Sequence, residues 1–118
     1  MNALGVHVLL ELKDCSKEVL NNLRLLEETM EAAATEAGAT VVEKAFHQFN
    51  PHGVSGVVIV AESHLFIHTW PEYGYAAVDI FTCGDSINAG KAAELLAKTL
   101  QSGSSSMIEL RRGVIPGV

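Results

Sequence analysis

Residues 54–81 read VSGVVIVAESHLFIHTWPEYGYAAVDIF, and this stretch decides the fold. Val54–Ala61 is a run of valine, isoleucine and small residues, the composition of a strand. Ser63–Thr69 continues as a strand, Trp70-Pro71-Glu72-Tyr73-Gly74 supplies turn chemistry, and Tyr75–Phe81 forms the next strand. Upstream, Thr40–Phe49 has β-branched and aromatic content, and Asn50-Pro51-His52-Gly53 is a turn, so a hairpin joins it to Val54–Ala61.

Further out the period changes. Gly5–Leu12 reads as a first strand, broken by Lys13-Asp14. Leu20, Leu23, Leu26, Met30, Ala33 and Ala37 then recur at helical spacing, with Asp14 or Ser16 as cap and Gly38 as stop. A second helix, capped by Asp85, Ser86 or Asn88, buries Ala92, Ala93, Leu95, Leu96 and Leu100. Gln101–Ser106 reads as a flexible connection, and Met107–Leu110 as a short strand. Hairpins segregated from two apolar-faced helices predict an α+β, two-layer sandwich: a mainly antiparallel sheet with two helices on one face.

A chain of 118 residues fits one domain but has little interior for a roomy active site, which favours oligomerisation. The formal charge of −6 disfavours nucleic acid and anionic membrane surfaces as partners. The run Val57–Ala61 stops at Glu62, far short of a membrane span, and no export signal opens the chain, so a soluble, cytoplasmic protein is expected. Cys15 and Cys83 accordingly read as reduced thiols, and no zinc-type cysteine spacing occurs. His47, His52, His64 and His68 do not make a convincing metal site, because local polar contacts account for them; no metal is expected.

The chemistry lies in Glu62-Ser63-His64-Leu65-Phe66-Ile67-His68. A serine here could attack the carbonyl carbon of its own preceding peptide while a nearby imidazole moves protons. Standing alone, Ser63 would be a small polar residue at a strand start, His68 a hydrogen-bonded structural histidine and Cys83 a small buried hydrophobe.

Together with Phe46-His47-Gln48-Phe49, Pro51-His52-Gly53-Val54-Ser55-Gly56, Tyr75–Phe81 and Thr82-Cys83-Gly84, the stretch resembles the prokaryotic S-adenosylmethionine decarboxylases. The resemblance extends from Leu4-Gly5-Val6-His7 to Ile108–Gly113. It implies that Ser63 attacks the Glu62 carbonyl to give an ester, which undergoes β-elimination and leaves a pyruvoyl group at residue 63. The products would be a β chain, residues 1–62, and an α chain, residues 63–118. A keto-carbonyl can form a Schiff base with a substrate amine and accept the electrons released as carbon dioxide departs.

By the same resemblance His68 abstracts the α-hydrogen during processing, Ser55 supports processing by hydrogen bonding, and Cys83 returns a proton to the substrate's α-carbon. Phe49, Leu65, Trp70 and Glu72 match the substrate pocket, where aromatic surface stacks on adenine and a carboxylate accepts from ribose hydroxyls. The implied unit is a homodimer of cleaved protomers whose pockets borrow residues from a neighbour, acting on S-adenosylmethionine for polyamine (spermidine) synthesis. Phe66 departs from the family's common threonine, and Gln48–His52 differs from common members. Arginine or ornithine decarboxylation is therefore the alternative, and a non-cleaving ligand-binding or metal-sensing domain is a third reading.

Overall fold

The computed structural model describes residues 3–83 and 87–117. Six strands, β1 (Ala3–Lys13), β2 (Thr40–Gln48), β3 (Val54–Ala61), β4 (Ser63–Trp70), β5 (Tyr75–Thr82) and β6 (Ser104–Val114), form one sheet in the order β2-β3-β4-β5-β1-β6. Every neighbouring pair is antiparallel. Helices α1 (Lys17–Leu20), α2 (Leu23–Glu36) and α3 (Ala89–Thr99) complete the chain with a 3₁₀ turn at Pro71–Tyr73. The α+β two-layer sandwich expected from the sequence is the one observed.

The core follows from period-2 alternation meeting helical stripes. Val8, Leu10 and Leu12 of β1, Val58 and Val60 of β3, Leu65 and Ile67 of β4, and Val78 and Ile80 of β5 are buried under the helices. They meet Leu26, Met30 and Ala33 of α2, Ala92 and Leu96 of α3, and Leu100 at the C-terminal cap of α3. The opposite face carries Leu9, Val57, Phe66, Asp79 and Ile108 in one cross-strand row. No element of the chain covers that row among the described residues, and Ile59 and Ile108 are 43% and 61% exposed.

Three expectations need correction. The first helix is two: Asn21-Asn22 interrupts it, Ser16 Oγ capping α1 and Asn22 Oδ1 accepting from the Leu25 N–H at 3.1 Å. An asparagine side chain that satisfies a free N–H of the following turn competes with helix continuation, while the leucine spacing across the break still looks helical. The second concerns Val54–Ala61 and Ser63–Thr69, which reverse on each other at Ala61-Glu62, with Val60 paired to Ser63 and Ser55 to His68. Last, β6 is long: Ser104–Ser106, expected in a connection, pair with Lys13–Glu11. A strand with one partner needs less apolar content than a central one.

Asn88 caps α3 through Oδ1, accepting from Lys91 N–H at 3.1 Å. The other two cap candidates, Asp85 and Ser86, lie outside the described residues, as does Gly84.

Candidate active site

The β3–β4 reversal puts Glu62 and Ser63 at a hairpin tip on the sheet's margin. Glu62 is exposed, and Ser63 Oγ accepts the Cys83 backbone N–H at 3.3 Å, since Cys83 directly follows β5, the next strand. Ser63 and Cys83 are thus brought together. Cys83 is a half-buried free thiol. Cys15 differs: burial pushes its thiol up, and its backbone N–H donates to Gly74 O at 2.9 Å, a structural placement.

The other end of the hairpin holds a second group. Ser55 and His68 are cross-strand partners, with Oγ 2.8 Å from Nδ1. The His68 ring stacks on Phe66 (centroids 4.8 Å apart, planes 22° apart) and lies 6.3 Å from Trp70, which in turn stacks on Tyr75 at 5.3 Å. Burial, the Glu11 carboxylate that accepts its hydroxyl, and nearby Asp79 push the Tyr75 phenol up to about 12, so it stays a neutral donor at pH 7.

Phe49, His52, Gly53, Ser55, His68, Trp70 and Glu72 line a cavity of about 340 Å³. It gathers most of the residues expected to bind substrate. Leu65 is not among them, because alternation turns its side chain to the helix face, where it is 0% exposed. His52 was not among the site residues read from the sequence, yet it lines the cavity with Nε2 3.2 Å from Glu72 Oε1. Its sequence signals are its place in Pro51-His52-Gly53 and in the divergent Gln48–His52 loop, neither of which states a role for the ring.

The two groups do not meet within the chain. His68 is five residues from Ser63 along β4, about 16 Å at strand rise, and an odd separation sets their side chains on opposite faces. Among the described residues no three His, Cys, Asp or Glu side chains converge to hold a metal ion, and no helix is long and apolar enough to cross a membrane.

The family model described as S-adenosylmethionine decarboxylase matches residues 6–113. The chain belongs to the S-adenosylmethionine decarboxylase family. A relative from Thermosipho melanesiensis, named S-adenosylmethionine decarboxylase proenzyme, is 54% identical over 96% of this chain and 87% of its own length. A second of that name from Thermoanaerobacter is 53% identical over 97% of this chain and 92% of the relative. The crystal structure of the adenosylmethionine decarboxylase from Aquifex aeolicus superposes with a TM-score of 0.90 at 33% identity, covering all of this chain and 98% of that one. This chain is therefore of an enzyme family, with that family's fold.

Proposed function

We propose that the chain is a proenzyme that cuts itself between Glu62 and Ser63, converts Ser63 into a pyruvoyl group, and decarboxylates S-adenosylmethionine. The observation that carries this reading is the hairpin tip, where an exposed peptide precedes a serine hydroxyl held by the Cys83 backbone. Proenzyme relatives support a maturation step.

The chemistry of maturation balances within the chain. Ser63 Oγ attacks the Glu62 carbonyl carbon, the C–N bond breaks and an ester forms. Removal of the residue 63 α-hydrogen expels the Glu62 carboxylate, leaving dehydroalanine; its enamine tautomerises and hydrolysis releases ammonia, leaving the keto group. The cut does not unravel the fold, because β1 of the first fragment lies between β5 and β6 of the second, and β3 stays paired with β4. The two fragments should remain together as one unit.

A keto-carbonyl at residue 63 supplies an electrophile for the substrate amine and a sink for the electrons freed as carbon dioxide leaves. Cys83, beside residue 63, has a thiol proton to return to the substrate's α-carbon. Cys83→Ala should therefore still cleave but lose activity within a limited number of turnovers, as misplaced protonation aminates the keto group; progress curves matching wild type over many turnovers would remove Cys83 from the mechanism. In the cavity, Phe49 and Trp70 offer aromatic faces for adenine and the sulfonium cation, and Glu72 offers oxygens for the ribose hydroxyls.

The separation of Ser63 from His68 supports a working unit of two copies. A second copy packed on the open sheet face would cover Leu9, Val57, Phe66 and Ile108, and its His68 is the imidazole left to serve residue 63 at the hairpin tip. His68, its Nδ1 held by Ser55 Oγ, then moves the α-proton of a partner's residue 63. The product would be an aminopropyl donor for spermidine synthesis in the cytoplasm.

The reading is tested by carbon dioxide release from carboxyl-labelled substrates: release from S-adenosylmethionine is expected, and release from arginine or ornithine instead would overturn the substrate assignment. Glu72→Gln should weaken S-adenosylmethionine by about 1–3 kcal/mol, through loss of charge-assisted bonds, without slowing cleavage. Unchanged KM would take Glu72 out of the pocket.

A further inference from the structure

The cavity's Glu72 sits on the 3₁₀ turn Pro71–Tyr73, with its side chain 40% exposed and open to solvent rotamers. A carboxylate that must meet two ribose hydroxyls pays rotamer entropy unless it is held beforehand. The one basic side chain within 4 Å of its carboxylate among the described residues is His52, whose Nε2 lies 3.2 Å from Oε1. The pair also stands between two depressions: both residues line the cavity with Phe49, Ser55, His68 and Trp70, and both line a neighbouring one of about 410 Å³ with Lys17, Glu18 and Asn21.

The backbone that carries His52 is held. The next residue, Gly53, adopts a φ of +107°, which favours glycine, and an added Cβ would lie 3.2 Å from Thr69 O. Gly53 N–H donates to Asn21 Oδ1 at 2.9 Å, and Gln48 Nε2 donates to the same oxygen at 2.9 Å and to Gly53 O at 3.0 Å. Phe49 N–H closes the loop on Gly53 O at 2.8 Å. The break between α1 and α2, which exposes Asn21, thus fastens the backbone of the 48–53 loop that carries His52.

We propose that His52 is a positioning residue that fixes Glu72 for a ligand carrying a ribose diol, and so sets specificity for a nucleoside over a plain amino acid. This rests on the pocket reading given above. The imidazole stands against one carboxylate oxygen while the other is left to the ligand, and the anchored loop backbone keeps His52 beside the turn that carries Glu72.

The test compares His52→Ala and His52→Gln in the cleaved protein, with 5′-methylthioadenosine binding measured by calorimetry beside steady-state decarboxylation. His52→Ala should raise both KM and the nucleoside's Kd about tenfold, with kcat falling less than KM rises, and His52→Gln, which keeps an N–H near the Nε2 position, should restore most of the loss. In a Glu72→Gln background His52→Ala should add little, because the group it positions is gone. The 2′-deoxy analogue should feel His52→Ala far less than the parent nucleoside. Equal losses for the two nucleosides, additive effects with Glu72→Gln, or unchanged binding would each overturn the proposal. If Glu72→Gln alone leaves nucleoside binding intact, it is the pocket reading that falls, and the role of His52 with it.

Discussion

Ser63→Ala is expected to leave the 118-residue chain in one piece and without decarboxylase activity. Alanine offers no nucleophile for the Glu62 carbonyl, and without the acyl shift neither the ester nor the keto group can form. The loss should be complete, because it removes both maturation and the electrophile needed for turnover. The fold should be unaffected: the side-chain change removes one 3.3 Å hydrogen bond from the Cys83 N–H at a sheet margin and no core contact. Denaturing electrophoresis and thermal unfolding measured together separate this outcome from misfolding. A Ser63→Ala protein that still fragments at 62–63 would place the nucleophile elsewhere.

Co-expression of two variants has the next largest expected effect. His68→Ala alone should process slowly or stall, with an ester that hydroxylamine cleaves, and Ser63→Ala alone should not process. In a mixed dimer, the chain carrying His68→Ala still has Ser63, and its partner supplies an intact His68. The account predicts that this chain is cut while the Ser63→Ala chain stays whole, with activity returning from a background near zero. Absence of cleavage in purified mixed dimers would mean that each chain processes itself, which is hard to reconcile with about 16 Å between the two residues on one strand. Sedimentation of the native protein bears on the same point, and an active monomer would contradict the two-copy site.

Much of the fold was legible because its elements obey simple periods. Val54–Ala61 matches β3 residue for residue, and the alternation of β4 and β5 predicts which side chains are buried. The hairpin tip was not legible, since Ala61-Glu62 lacks the glycine, asparagine or proline that marks most tight turns. Leu20 and Leu23 keep helical spacing across a break made by two asparagines. The serines of β6 resemble a linker, and only β1 beside them makes a strand.

The candidate site shows the same division. The family resemblance implied roles for Ser55, Ser63, His68, Cys83 and the pocket residues, which taken singly read as ordinary strand and turn residues, and their distribution over two ends of the sheet depends on strand register, which no local pattern states. Leu65 illustrates the consequence: its one-residue offset from Phe66 and His64 sends its side chain into the core. A turn histidine such as His52 looks ordinary until Glu72, twenty positions on, is folded against it.

Whether this chain makes its own keto group is decided by intact mass spectrometry of freshly purified wild-type protein. Two species are expected, residues 1–62 and an α fragment from residue 63 lighter by one ammonia than a serine-ended one and trapped by a carbonyl reagent. A single uncut chain, or an α fragment ending mainly in free serine, would contradict the proposed maturation.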